Sequence, residues 1–165
     1  SRTIDDSLVI GRVIERDGTN VLVLPKNIRA TKAVSNGIRQ YLKEAGYRVS
    51  EKTEEWNLKE DAVPPGDSRI LVGGRIEELE INCRKGFLTN SYTSGIKLNI
   101  VLADRVKGTI LHHTVVESRY ATEGILFSED ILGEQADIVL ADAIEKLFED
   151  KNVVQKLKEA MIQQN

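Results

Sequence analysis

Three consecutive runs of alternating side chains between residues 69 and 121 limit what this chain can fold into. Successive side chains of a strand point to opposite faces, so a strand that hides one face shows a period of two. In residues 69–83, Ile70, Val72, Gly74 and Ile76 share one parity, whereas Leu79, Ile81 and Cys83 share the other. Such a switch needs one extra residue, which places a β-bulge near Glu77-Glu78; Gly73-Gly74 is a second point where the strand can kink. Residues 91–104 hold one register, with Tyr92, Ile96, Leu98, Ile100 and Leu102 on one face and Thr93, Lys97 and Asn99 on the other. Residues 109–121 put Ile110, Val116 and Tyr120 on one parity and Leu111 and Val115 on the other. The short polar link Asp104-Arg-Val-Lys-Gly108 predicts an antiparallel hairpin, and residues 84–90 join the first two strands in the same way. Three adjacent strands of this length form a meander that must bury one face.

The flanking segments supply the cover. Residues 8–14 and 21–24 read as two short strands around a turn at Asp17-Gly18, the second closed by Pro25. Thr31 offers an N-cap to a helix whose Val34, Ile38, Leu42 and Ala45 recur at helical spacing. Gly46 sits where a left-handed residue would stop that helix, and residues 47–50 leave it as a further strand. Residues 51–68 have no period and contain Pro64-Pro65-Gly66; they are expected to form a surface loop, mobile over 54–66, with Trp56 as its one large apolar side chain. Residues 121–127 read as a connection. Ser128 then opens a helix with an apolar stripe of Ala136, Val139, Leu140, Ala143, Ile144, Leu147 and Phe148, broken at Asp150-Lys-Asn152. A shorter helix follows over 152–163. The expected fold is α+β: one domain over 1–165, a two-layer sandwich with a mostly antiparallel sheet of about six strands and two main helices on one face. The other face, with Thr93, Lys97, Asn99, Glu117 and Arg119, is left wet or open to a partner.

Composition narrows the function classes. The chain of 165 residues is 41% hydrophobic and 30% charged, as in ordinary globular domains. A net charge of −3 from 23 basic and 26 acidic residues argues against a nucleic-acid partner. No apolar run approaches the roughly 20 residues of a membrane helix. The chain begins at Ser1 in polar residues, which points to a trimmed product whose leader is not shown. A single cysteine, Cys83, forbids an internal disulfide.

No motif for a cofactor or metal is present. His112 and His113 are adjacent, so in a strand they point to opposite faces and cannot chelate one ion together. Cys83 has Arg84 and Lys85 beside it, and would need an imidazole from a neighbouring strand to act as a nucleophile. The glycines match neither phosphate-binding pattern, and Glu77, Glu78 and Glu80 lie within a strand rather than in a cleft. The partner-binding candidates are Trp56, Arg84, Lys85 and Phe87. Trp56 is either a clamp for its loop or an anchor for a partner. Arg84-Lys85-Gly-Phe87 is a small cationic-aromatic patch suited to an anionic headgroup or a partner carboxylate.

Ser1-Arg2, Val9-Ile-Gly-Arg12, the helix ending Leu42-Lys-Glu-Ala-Gly-Tyr-Arg-Val49, and Gly73-Gly-Arg-Ile76 at the start of a long strand together resemble the YajG-type lipoproteins of the bacterial cell envelope. The late pattern of a long helix, Asp150 and a short helix is similar too. The resemblance spans nearly the whole chain. It implies export, lipidation of a cysteine upstream of Ser1, and a periplasmic domain held at the outer membrane by that lipid alone. It implies no reaction. The leading expectation is therefore a non-enzymatic domain that binds an envelope protein or another envelope component. The alternative is a transport-accessory lipoprotein handling a lipid or small apolar ligand, which requires an apolar cavity between helices and sheet. A third alternative, a cysteine- or histidine-dependent enzyme, requires Cys83 beside His112 or His113. Unpaired edges at 8–14 or 47–50 could support a homodimer.

Overall fold

The computed structural model of the protein describes residues 11–14, 16–17, 20–23, 30–52 and 54–162. Its body is a meander of three long strands, β3 (Ile70–Lys85), β4 (Asn90–Asp104) and β5 (Thr109–Gly124), paired antiparallel with β4 in the middle. Two short strands extend it: β1 (Gly11–Ile14) runs parallel to β3, and β2 (Asn20–Val23) is antiparallel to β1, giving the order β2-β1-β3-β4-β5. The N-terminal hairpin thus forms as expected over these residues; residues 8–10, Leu24 and Pro25 lie outside the described residues.

The bulge forms in β3. Ile76 faces Leu98 and Glu78 faces Lys97, so Glu77 is the extra residue, and Leu79, Ile81 and Cys83 then turn to the same face as Ile76. A second register shift, not apparent in the sequence, lies in β5. Leu102 faces His112 and Ala103 faces Ile110, which makes Leu111 the inserted residue. Ile110 and Val116 consequently do not share a face as their parity predicted. Val116 joins the inner row, and Ile110 pairs with the outer row at Ala103.

Three helices cover the inner face: α1 (Ala30–Glu44), α2 (Glu129–Glu149) and α3 (Lys151–Ile162). The core joins Ile96, Leu98, Ile100, Leu102 and Val116 of the sheet to Val34, Ile38 and Leu42 of α1, Val139, Ala143 and Leu147 of α2, and Val153 and Leu157 of α3. Full burial of each large aliphatic side chain contributes about 1.5–3 kcal/mol. A smaller cluster at the other end of the sheet packs Ile81, Cys83 and Tyr92 under Leu132 and Ala136.

The class is α+β, but a sheet of about six strands with two main helices does not form. Residues 47–50 are irregular among the described residues, and a third helix contributes to the core. Gly46, at φ +92°, ends α1 in a Schellman turn, with Tyr47 N–H bonded to Leu42 O at 2.9 Å. Tyr47 and Val49 then pack on the core as a coil rather than joining a ladder. Thr31 lies inside α1, which begins at Ala30, and so is not its cap. The 51–68 segment contains a 3₁₀ turn (Glu60–Ala62) and is tied down at several points. Glu54 pairs with Arg105, Glu60 Oε2 accepts Ile110 N–H at 2.7 Å, and the Trp56 ring lies against Gly73 on the outer face.

The long helix starts where expected, with Ser128 Oγ accepting Ile131 N–H at 3.3 Å. Asp150 ends it and starts α3. Its Oδ1 accepts Asn152 N–H at 2.9 Å, while Oδ2 accepts Thr114 Oγ1 at 3.3 Å and lies 3.6 Å from His112 Nε2. Burial opposes the Asp150 charge, but the bonds from Asn152 and Thr114 and the His112 ring outweigh it and hold the carboxyl below its ordinary value of 3.8. A depressed carboxylate contributes stability above its unfolded-state pKa and loses it as pH falls through the folded value. Asp150→Ala should therefore lower stability by about 1–3 kcal/mol at neutral pH. In urea titrations between pH 6 and pH 3 the gap to the parent protein should narrow toward the acid end; a gap independent of pH would contradict this role.

Candidate functional site

α1 lies beside α2 rather than down on β3, and the place of closest approach is Gly37. A Cβ there would come 2.3 Å from Ile144 Cδ1, so any larger residue would have to turn that side chain aside. The rings of Tyr41 and Phe148 stack alongside, centroids 4.1 Å apart. With α1 drawn to α2, the first half of β3 has no helix directly over it. What remains is a groove of ≈ 1130 Å³, floored by Ile70, Val72 and Ile76 of β3 with Leu98 and Ile100 of β4. Val34, Ile38 and Leu42 wall it on one side, and Leu157 and Ala160 of α3 close one end. The contrast between neighbouring strands is plain: the inner row of β4 is fully buried, whereas Ile70, Val72 and Ile76 are half-buried.

The groove wall is predominantly cationic where it is charged. Arg39, Arg48, Lys52, Arg69, Arg75 and Arg105 line it, against Glu54 and Asp67. Three of the cations are engaged: Arg105 with Glu54, Arg69 with the buried Asp104 at 3.1 Å, and Arg39 with the Lys52 carbonyl at 3.3 Å. Burial would raise the Asp104 carboxyl, but the Lys107 N–H, the Arg69 guanidinium and the Val106 N–H keep it below its ordinary value. Arg48, Lys52 and Arg75 are exposed, and their side chains have no ion-pair partner among the described residues. An apolar floor with Arg48 and Lys52 at its rim suits a ligand with an apolar body and an acidic end.

The four partner-binding candidates separate. Trp56 is half-buried on the outer face, its ring on Gly73 and its Nε1–H donating to Lys59 O at 2.9 Å. Arg84, Lys85 and Phe87 lie at the far end of the sheet, around the β3–β4 turn. There Phe87 and Leu88 are exposed beside Ile125 and Leu126 from the exit of β5. Sequence reasoning missed Leu88, Ile125 and Leu126, and it named an apolar cavity between helices and sheet only as a requirement of the ligand-handling alternative, without its place between α1 and β3. The run Gly124-Ile-Leu-Phe127, apolar within a connection, was the available signal for the first group. A gap between packed elements leaves no such signal.

His112 faces the helices and Asp150, and His113 faces outward onto Asn99, as opposite faces require. Cys83 faces Tyr92, and His112 faces Leu102, ten residues further along β4, about 33 Å of strand. The thiol–imidazole pair that a cysteine–histidine enzyme requires is not assembled. Among the described residues no group of three or more His, Cys, Asp and Glu is placed to hold a metal ion. The outer face is a ladder of polar pairs: Lys97 with Glu117 at 3.5 Å, and His113 with Asn99, which in turn reaches Glu77 at 3.3 Å. No helix among the described residues is long and apolar enough to cross a membrane.

No protein-family model matches the sequence, and no curated protein matches it. The fold is similar to the 2.35 Å crystal structure of a minor lipoprotein from Acinetobacter baumannii, with a TM-score of 0.51 at 12% identity, over 77% of this chain and 88% of that one. At that identity the likeness is one of fold.

Cys83 is completely buried. In native buffer it should therefore react with a chromogenic disulfide reagent far more slowly than a free thiol, and in urea it should titrate as one equivalent. Rapid reaction in the native state would restore it as a candidate nucleophile.

Proposed function

We propose that this chain is the globular domain of an envelope lipoprotein, and that it acts by holding an anionic amphiphile in the groove between α1 and β3. The acyl body lies along Ile70, Val72 and Ile76, and the acidic end meets Arg48 and Lys52. The observation that carries this reading is the half-bare inner row of β3 next to the fully buried row of β4. A half-covered apolar strand face of this kind marks a surface that another molecule can cover. The reading assigns no reaction to the chain.

Periplasmic residence, a lipidated cysteine upstream of Ser1 that holds the domain at the outer membrane, and YajG-type membership belong to the same proposal. They are supported by the sequence resemblance and are in keeping with the fold likeness to the Acinetobacter minor lipoprotein. An envelope protein as the bound partner is the second reading, and the same groove would then take an apolar polypeptide segment.

The test is a titration of the 165-residue protein with a fluorescent fatty acid. Saturable binding at one equivalent is expected. Val72→Asp, which places a charge on the floor, should weaken it at least about tenfold, a factor worth 1.4 kcal/mol. Arg48→Glu with Lys52→Glu, both on exposed residues, should weaken it by about as much and reduce its salt dependence while leaving the circular dichroism unchanged. No saturable binding, or equal binding by all variants, would sink the amphiphile reading in favour of the polypeptide one.

A further inference from the structure

We infer that the end of the sheet opposite the groove is a bilayer-contacting tip, whose exposed apolar side chains enter the headgroup region of a phospholipid membrane while the neighbouring cations meet its phosphates. This inference stands on residues separate from the groove and does not depend on the groove's ligand.

Two loops form the tip. Lys85, Asn90 and Gly124 are neighbours across the three strands, so the β3–β4 turn and the segment leaving β5 emerge side by side. Phe87, Leu88, Ile125 and Leu126 project from them with 85%, 78%, 79% and 75% of their surface exposed. These are large apolar side chains at the extremity of two adjacent loops, which makes a convex feature rather than a pocket. A protein partner would need a matching cavity, whereas a fluid bilayer deforms around a protrusion.

Cations stand at its base. Lys85 Nζ lies 4.7 Å over the Phe127 ring, Arg16 Cζ lies 5.8 Å from the centre of the Phe87 ring, and Arg84 is exposed next to them. Long basic side chains can keep their charge among headgroups while their stems cover apolar surface. Asp17 and Glu123 are the acidic side chains one residue behind Arg16 and Gly124, so the local charge excess is small and the apolar contacts must dominate.

Backbone groups at the tip are already bonded within the protein. Gly86 N–H bonds Thr89 O at 3.0 Å, and Gly86 O accepts Arg16 Nε–H at 2.9 Å. Leu126 O accepts the Tyr92 hydroxyl at 2.6 Å, and Ile125 O accepts Asn90 Nδ2 at 3.5 Å. Insertion would otherwise strip water from these groups, and each one left unbonded would oppose it. The turn is also tight: a Cβ on Gly86 would lie 2.3 Å from Thr89 O. The two loops are thus held in shape before they meet a membrane.

The test is co-sedimentation of the 165-residue protein, produced without lipidation, with vesicles of phosphatidylethanolamine and phosphatidylglycerol. The parent protein should sediment with the vesicles. Phe87→Ser with Leu88→Ser, and Ile125→Ser with Leu126→Ser, should each reduce the partition coefficient at least about tenfold, with melting temperatures unchanged because these side chains are exposed. Val106→Ser, in the 77% exposed position at the opposite end of the sheet, should have no effect. A parent protein that stays in the supernatant, or loop variants that bind as well as the parent, would overturn the inference. So would a dimer in solution that the loop variants convert to monomer, since the tip would then be an interface between copies.

Discussion

The inner row of β4 is the constraint to which the rest of the molecule conforms. Ile96, Leu98, Ile100 and Leu102 lie in one unbroken register with no more than 3% exposure, and both edges of the strand are paired. Its neighbours must present apolar side chains to the same side, and neither does so with a regular pleat. β3 inserts Glu77 and β5 inserts Leu111. Without the insertion at Glu77, Leu79, Ile81 and Cys83 would point to solvent, and Glu78 and Glu80 would enter the core. A one-residue slip reverses every side chain of a strand, so each bulge is what allows a long strand to stay amphipathic along its whole length.

The helices are then allotted unevenly over that row. α2 lies over β4 and β5, and Asp150 ends it and turns the chain back into α3 through bonds that reach Thr114 and face His112. α1 has no strand of its own. It rests on α2 through Gly37 and the Tyr41–Phe148 stack, and its Val34, Ile38 and Leu42 join the core between the groove and α2.

Much of this was legible in the sequence because it depends on near neighbours. The parity switch located the bulge at Glu77, the clean alternation of 92–102 gave the buried face of β4, and Gly46, Ser128 and Asp150 marked helix ends by their own backbone chemistry. What was not legible depends on distant partners. Tyr47 and Val49 alternate, but two positions cannot tell a strand from a coil that packs on a core. The register shift at Leu111 is visible only against β4. The 54–66 segment looked free because the groups that hold it, Gly73, Arg105 and Ile110, come later in the chain and belong to other elements. Gly124-Ile-Leu-Phe127 was passed over because composition does not distinguish an apolar run that is buried from one that is displayed.

The two apolar surfaces left uncovered are carried by the same strand and differ in kind. The groove floor uses Ile70, Val72 and Ile76, near the start of β3, and the tip begins at its end, after Lys85. Nine residues separate Ile76 from Lys85, about 30 Å of strand. That length exceeds the thickness of a headgroup layer, so a domain resting on its tip holds the groove mouth clear of the bilayer. A ligand in the groove would then be exchanged with the aqueous space or with a second protein facing Arg48 and Lys52, not drawn directly from the membrane beneath. The rim charges fit that arrangement: Arg48 and Lys52 line the groove, while the surface that would meet lipid is mainly apolar. A domain built in this way would keep attachment and ligand capture apart, at the two ends of one long strand.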